Sequence, residues 1–124
     1  MKEVIYTKNA PEPIGPYSQA ILVNNTLYAS GQIAINPDTN EFVDGNIKTQ
    51  TEQVCKNINE ILKAAGMSFE NVVKTTCFLA YISDFGIFNK VYDEYFVSNP
   101  ARSCVAAKEL PKNALVEIEI IATK

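Results

Sequence analysis

A strand that is apolar on both faces constrains this chain more than any other feature of its sequence. The segment FENVVKTTCFLAYI (69–82) is rich in β-branched and aromatic residues, which is typical of a strand. Its VVKTTCFLAYI part is apolar or small at both alternating sets of positions, with Lys74 the one exception. Side chains alternate between the faces of a sheet, so both faces of this strand need cover. We therefore expect an oligomer that buries the face left open by the chain's own helices.

Two amphipathic helices are predicted to cover one face of that strand. IKTQTEQVCKNINEILKAAG (47–66) repeats apolar residues at helical spacing, and Gly66 provides a natural C-terminal stop. SDFGIFNKVYDEYFVSN (83–99) carries a broad aromatic stripe; Ser83 or Asp84 can cap its start, and Pro100 blocks its continuation. The apolar positions are Ile47, Val54, Ile58, Ile61, Leu62 and Ala65 in the first segment and Phe85, Phe88, Tyr92, Tyr95 and Phe96 in the second.

The remaining segments are predicted as strands and loops. SQAILVNNTLYASGQI (18–33) indicates two strands that turn at Asn24-Asn25, because asparagine tolerates the left-handed conformation of tight hairpins. PEPIGPY (11–17) is irregular because of its three prolines, and NPDTNEFVDGN (36–46) is a loop or hairpin. Two more strands follow Pro100. This order predicts a single α+β domain over residues 1–124, a mixed sheet with both helices on one face.

The charge balance argues against nucleic acid as a partner. The 124-residue chain has 11 Lys and Arg against 14 Asp and Glu, a net charge of −3 and a pI near 4.9. The lysines are scattered, whereas nucleic-acid binders need a basic patch. No apolar run approaches the ~20 residues that span a bilayer, and the N-terminus shows no secretory signal. With three cysteines a fully paired disulfide framework is impossible, so we expect a cytoplasmic protein with free thiols.

The absence of histidine narrows the chemistry that the chain can perform. Histidine is the commonest general base and metal ligand, and Ser-His-Asp and Cys-His arrangements cannot form without it. Cys55, Cys77 and Cys104 show no CxxC spacing, which argues against a structural zinc site. Any reaction must use carboxylates, a thiol, hydroxyls, amides, arginine or bound water.

Charged residues in the last two predicted strands are the first candidates for function. Alternation places Arg102 and Cys104 on one face of the first strand, about 7 Å apart, and Glu117 and Glu119 on one face of the second. If these strands are neighbours, one face gathers a guanidinium, a thiol and a carboxylate, which suits an anionic small molecule hydrolysed by water. In the alternative, Arg102 pairs with a glutamate across the strands and Cys104 only packs. The pattern alone favours that alternative.

Four further positions are candidate site residues, each with a structural alternative. Gly31 inside a strand indicates either a bulge or a close approach of backbone to a ligand, and Ser30 could donate a hydrogen bond there. Tyr17 could form a pocket wall or simply pack. Asn89 interrupts the aromatic stripe and needs a partner, and we expect it to hold a loop rather than to contact a ligand.

Four motifs resemble one known family nearly end to end and in order. IGPYSQA, YASGQIAINP, FNKVYDEYF and PARSCVAAKELPKNALVEIEIIA are similar to the YjgF/RidA (reactive intermediate deaminase A) family, also described as the Rid or L-PSP endoribonuclease family. The resemblance implies a chorismate-mutase-like α+β fold. It also implies a homotrimer whose sites lie in the clefts between subunits.

The resemblance further implies an enzyme that needs no cofactor and no metal. Members of the deaminase branch hydrolyse 2-iminobutanoate, 2-iminopropanoate and their enamine tautomers to 2-keto acids and ammonia. These species are released by pyridoxal-phosphate enzymes such as threonine dehydratase. By the resemblance, Arg102 clamps the substrate carboxylate, and Cys104 and Glu117 hold a water molecule. The other substrate-binding positions that it implies are Tyr17, Ser30, Gly31 and Asn89.

Two rival functions stay open at this point. The first is a carboxylate-binding or chaperone-like stress protein that uses the same cleft without turnover. The second is an endoribonuclease or translation inhibitor, which the acidic balance, the missing histidine and the absence of a basic stripe all disfavour.

Overall fold

The strand that is apolar on both faces lies inside a six-stranded sheet. The computed structural model describes residues 1–124. The strands are β1 (Lys2–Ile5), β2 (Ala20–Val23), β3 (Thr26–Gln32), β4 (Ile35–Asn36), β5 (Glu41–Phe42), β6 (Val72–Leu79), β7 (Ala101–Ala106) and β8 (Val116–Thr123), and the helices are α1 (Ile47–Ala64) and α2 (Phe85–Tyr95). The sheet order is β1-β2-β3-β8-β6-β7, and β4 and β5 form a separate two-stranded hairpin.

Both helices pack on one face of this sheet, as predicted. The core-facing strand positions, such as Leu27, Val72, Leu79 and Ile118, are buried against the apolar faces of α1 and α2. The mixed α+β architecture expected from the sequence is therefore confirmed. Burial of this core provides most of the stabilising free energy of such a domain.

The helix boundaries follow the sequence signals with one exception. Asn46 caps α1 by accepting a hydrogen bond from the backbone N–H of Thr49, 2.9 Å away. The predicted cap of α2 by Ser83 or Asp84 is wrong, because a 3-10 turn over Ile82–Asp84 runs directly into α2 without a side-chain cap. Neither helix is both long enough and apolar enough to cross a membrane.

Helix α2 connects two parallel strands. β6 and β7 are the one parallel pair of the sheet, joined through α2 in a βαβ unit, and every other pair is antiparallel. β7 is consequently an edge strand, and β6 separates it from β8. The idea that the last two strands are neighbours is wrong.

The second face of the sheet, called here the outer face, carries no helix. Several of its large apolar side chains are exposed, including Val4 (58%), Tyr28 (49%) and Val105 (48%). An exposed apolar face of this kind marks an interaction surface. The expectation of an oligomer, and of a homotrimer in particular, stays a prediction.

Candidate active site: two half-sites on opposite faces of the sheet

The strand register places the candidate residues on opposite faces of the sheet. Arg102 and Cys104 in β7 are paired with Thr75 and Cys77 in β6, which in turn pair with core-facing Ile120 and Ile118 of β8. Glu117 and Glu119 alternate with those isoleucines and therefore point to the outer face. The guanidinium, the thiol and the carboxylate therefore do not share one face of the sheet. Strand β7, which carries Arg102 and Cys104, also lies two strand spacings, about 10 Å, from β8, which carries Glu117.

One half of the structural alternative is wrong as well, although Cys104 does pack against the apolar core as that alternative expected. Cross-strand pairing of Arg102 with Glu117 or Glu119 is excluded by the same geometry. The one side-chain ion pair joins Lys63 to Glu60 along α1, at 3.5 Å. Arg102 therefore has no carboxylate partner within the chain, and its charge is available to a ligand.

Arg102 and its surroundings form what we call the arginine half-site, made of Phe85, Asn89, Tyr92, Arg102 and Cys104. Nη1 of Arg102 donates a hydrogen bond to Oδ1 of Asn89 at 2.7 Å. Its Cζ lies 5.3 Å from the ring centroid of Phe85 and 4.7 Å from that of Tyr92. These contacts orient the guanidinium through cation–π attraction and one hydrogen bond, leaving its other N–H donors for an anion.

Asn89 has a different role from the one predicted. Its amide oxygen holds the Arg102 side chain rather than a loop. An open cavity of about 660 Å³ adjoins this contact, lined by Arg102, Asn89, Phe85 and Tyr92 among others. The hydrogen-bond partner that Asn89 was expected to need is therefore Arg102, the predicted carboxylate clamp.

Cys104 is a neutral thiol beside this guanidinium. It is half-buried, and burial raises its pKa above the ordinary value although nearby Arg102 acts in the opposite direction. A protonated thiol is a poor nucleophile, because the thiolate is the reactive form. Cys104 is therefore suited to contacting a water molecule as a weak donor rather than to covalent catalysis.

The second group of residues, called the glutamate half-site, comprises Tyr17, Ser30, Gly31, Glu117 and Glu119. These residues line one cavity of about 580 Å³, which lies where β3 meets β8. The pairing of β3 with β8 is interrupted between Ala29 and Gln32, so the predicted bulge at Gly31 is confirmed.

Gly31 leaves room for the carboxylate of Glu117. A Cβ atom at this position would overlap Oε2 of Glu117 and lie 2.9 Å from its Cδ. The group that approaches the Gly31 backbone closely is therefore the Glu117 side chain of the same chain, rather than a ligand. The absence of a side chain at residue 31 provides the space in which the Glu117 carboxylate lies.

Glu117 holds its proton more tightly than an ordinary glutamate. Burial raises its pKa, and the negative charge of Glu119 on the same face raises it further. Glu119 lines the same cavity and acts on Glu117 through its charge. A carboxyl group with a raised pKa can deliver a proton near neutral pH.

A clamp centred on Gln19 holds the loop that carries Tyr17. The Gln19 side chain is 2% exposed; its Oε1 accepts from the Thr7 backbone N–H at 2.8 Å, and its Nε2 donates to the carbonyls of Thr7 and Pro11 at 2.9 Å. Ser30 adds a hydrogen bond from its hydroxyl to the Ser18 carbonyl at 2.6 Å. Both ends of the segment 12–17, which we call the arch, are thereby fixed.

The arch gives the glutamate half-site its wall. Tyr17 and Ile14 are exposed on it and line the cavity. The Ser30 proton, expected to serve a ligand, has an acceptor within the chain. Sequence reasoning missed Gln19, although a lone amide between PYS and the apolar strand AILV was a usable signal.

Comparison with known proteins decides the family. Residues 7–124 match the family model described as endoribonuclease L-PSP. The chain belongs to this family, the YjgF/RidA family. Its predicted membership is thereby confirmed.

Relatives of the RidA family are similar over the whole chain. A RutC family protein of Pyrococcus horikoshii is 56% identical, covering 100% of this chain and 99% of the relative. The human 2-iminobutanoate/2-iminopropanoate deaminase is 50% identical, covering 98% of this chain and 90% of the relative. The solved structure of YyfA from Yersinia pestis, a Rid family protein, superposes with a TM-score of 0.97 at 53% identity and covers 100% of both chains.

In this RidA-family chain, Gly31→Ala is expected to reduce catalysis by at least about tenfold while changing stability by less than about 1 kcal/mol. The new methyl group displaces the Glu117 carboxylate, whereas the backbone needs no glycine because Gly31 has no positive φ. Turnover and thermal unfolding of the variant measure the two effects separately. In a Glu117→Gln background, Gly31→Ala should reduce activity little further. If the losses of the two substitutions were fully additive, Gly31→Ala would not act through Glu117.

Proposed function

We propose that this protein hydrolyses 2-imino acids, 2-iminobutanoate and 2-iminopropanoate among them, to 2-keto acids and ammonia. The observation that carries the proposal is the state of Arg102: a guanidinium without a carboxylate partner, oriented by Asn89 and two aromatic rings beside an open cavity. Such a group binds a small carboxylate in one orientation. The relatives named as deaminases of these compounds support the same reaction.

We further propose that the two half-sites meet between subunits of a homotrimer. Arg102 lies on edge strand β7, and Glu117 lies on the outer face, whose exposed apolar side chains favour association. Contact of the β7 edge of one copy with the outer face of the next is heterologous. Such contacts form a closed ring when the rotation allows it. That the ring has three subunits rests on the family resemblance.

The reaction then needs few groups. Arg102 of one subunit binds the carboxylate of the imino acid. Glu117 of its neighbour, whose raised pKa favours the protonated form, gives a proton to the imine nitrogen. Water held between Glu117 and Cys104 adds to C2 and returns one proton to Glu117, which forms the carbinolamine. Glu117 then passes this proton to the amine nitrogen, and it takes the hydroxyl proton as the C–N bond breaks, leaving ammonia and the 2-keto acid. The water supplies the keto oxygen, and no electrons are exchanged with an external reagent.

Competition with semicarbazide tests this function. Threonine dehydratase generates 2-iminobutanoate in solution, semicarbazide traps it, and the resulting semicarbazone absorbs light. The protein is expected to suppress semicarbazone formation and to release 2-oxobutanoate at the same rate. Semicarbazone formation that is unaffected at micromolar protein, with 2-iminopropanoate as well, would leave only a carboxylate-binding role.

The pH profile of this reaction should identify the role of Glu117. If its protonated form delivers the proton, kcat falls as the pH rises through its pKa. Glu119→Gln removes the negative charge that raises this pKa, so the falling limb should move to lower pH. Other ionisable groups lining the cavity are Glu12, Tyr17 and Lys112.

A matched control for Glu119→Gln is Glu70→Gln, which removes an exposed carboxylate near the opposite end of β8. In this control variant the pH at which kcat falls should be the same as in wild type. A rising limb instead of a falling one would show that Glu117 acts as a base, and an unmoved limb in Glu119→Gln would refute the coupling of the two glutamates.

The name endoribonuclease in the family description finds less support in this chain. In the glutamate half-site, the carboxylates of Glu12 and Glu119 lie beside Glu117 in one cavity, an environment that repels a phosphate backbone. Three free cysteines are compatible with the reducing cytoplasm, where we expect the protein to act.

A further inference from the structure

We propose that Thr75 and Tyr92 are positioning residues that hold the Arg102 guanidinium in its binding orientation. The inference rests on the proposed function in one respect, namely that Arg102 is the carboxylate clamp. Neither residue was singled out as part of a site by the sequence, in which Thr75 is a small residue of a buried strand and Tyr92 part of an aromatic stripe.

The first observation is a closed circuit of contacts around Arg102. Thr75 of β6 is the register partner of Arg102 in β7. Its Oγ1 lies 2.8 Å from the hydroxyl of Tyr92, and the Tyr92 ring lies 4.7 Å from Cζ of Arg102. The residue beside the Arg102 backbone thus holds the ring that contacts the end of the Arg102 side chain.

The second observation is that this circuit has little freedom. Thr75 is completely buried, and Sγ of Cys77 also contacts its Oγ1, at 3.8 Å. The Tyr92 ring stacks on Phe96 with centroids 4.3 Å apart and planes inclined by 19°. Stacking sets the plane of the Tyr92 ring, and the hydroxyl contact sets its rotation within that plane.

An isosteric pair of variants isolates the hydroxyl contact. Thr75→Val keeps the shape of the side chain and removes its hydroxyl, so the buried Tyr92 hydroxyl loses its partner and shifts. Thr75→Ser keeps the hydroxyl and loses a methyl group. Tyr92→Phe keeps the ring and removes the other hydroxyl. A purely structural role predicts lower stability in these variants without a change at Arg102.

Arg102 can be observed directly because it is the only arginine in the chain. Protein labelled with 15N-arginine gives one Nε–H signal, whose chemical shift depends on the ring currents of Tyr92 and Phe85. The experiment records this signal for wild type, Thr75→Val, Thr75→Ser and Tyr92→Phe, with and without 2-oxobutanoate. KM for 2-iminobutanoate and thermal unfolding are measured on the same samples.

We expect Thr75→Val and Tyr92→Phe to move the Nε–H signal and to weaken 2-oxobutanoate binding, or raise KM, by roughly threefold to tenfold. Thr75→Ser should keep both the Nε–H chemical shift and the affinity for 2-oxobutanoate near their wild-type values. An unmoved signal in the two hydroxyl-deleting variants overturns the proposal, as does unchanged affinity despite a moved signal. If Thr75→Val does not fold, Tyr92→Phe decides alone.

Failure of the proposed function gives a different result. If the protein hydrolyses no imine, the Nε–H signal and the dissociation constant of 2-oxobutanoate still test whether Thr75 and Tyr92 position Arg102. If it also binds no 2-oxobutanoate, the signal alone decides.

Discussion

Arg102→Ala is expected to lower kcat/KM for 2-iminobutanoate by at least about a hundredfold. Truncating one partner of a hydrogen-bonded charge pair to a ligand costs about 2–5 kcal/mol, and about 2.7 kcal/mol corresponds to a hundredfold. No other arginine exists in the chain to substitute for it. The measurement is the semicarbazide competition with wild type and variant at equal concentration.

Arg102→Lys provides the matched control for charge. Lysine keeps the positive charge but offers no planar fork for a carboxylate and stacks less well on aromatic rings. We expect an intermediate loss, with KM affected more than kcat. Both variants should retain the wild-type unfolding temperature within a few degrees, because Arg102 is half-buried and outside the apolar core. Near-wild-type turnover of Arg102→Ala would refute the clamp.

Mixing two inactive variants is expected to restore activity. Arg102→Ala destroys the arginine half-site and Glu117→Gln the glutamate half-site, and these lie on opposite faces of the sheet. In a cyclic trimer that takes one half-site from each neighbour, every mixed trimer contains one intact site. Random assembly of equal amounts makes roughly three quarters of the trimers mixed, so the mixture should regain about a quarter of wild-type activity.

The two variants are produced together in one cell with different affinity tags, and complexes that carry both tags are purified and assayed. Because every doubly tagged trimer is mixed, these complexes should show about a third of wild-type activity. Arg102→Ala combined with Arg102→Lys is the control, since both changes lie in the arginine half-site; its activity should not exceed the average of the two. If doubly tagged Arg102→Ala and Glu117→Gln complexes stay inactive, the site does not lie between subunits.

Local elements were predictable because local periodicity determines them. The apolar spacing from Ile47 to Ala65 indicated α1, and Asn24-Asn25 indicated the turn between β2 and β3, where Asn24 adopts a φ of 55°. β1 was missed because three of its four residues are exposed and it shows no alternating apolar pattern. The predicted division of side chains between two faces was also correct for β7 and β8.

The relation between strands could not be obtained from alternation alone. Alternation groups Arg102 with Cys104 and Glu117 with Glu119, but only the strand order and register decide whether two groups share a face. One available signal was not used: two strands joined by a helix of this length favour a parallel βαβ unit, which pairs β7 with β6. The cation–π contacts of Arg102 depend on the tertiary packing of α2 and had no signal in the sequence.

The Gln19 clamp has a consequence for how this protein can evolve. Because Gln19 and Ser30 fix residues on both sides of the arch, a substitution within 12–17 alters the cavity wall without disturbing the pairing of β2 with β3. Most mutations near an active site must preserve the fold as well as the chemistry. Here the two demands fall on different residues, so a few changes at Ile14 or Tyr17 can give a descendant of this chain a new substrate preference at little cost in stability.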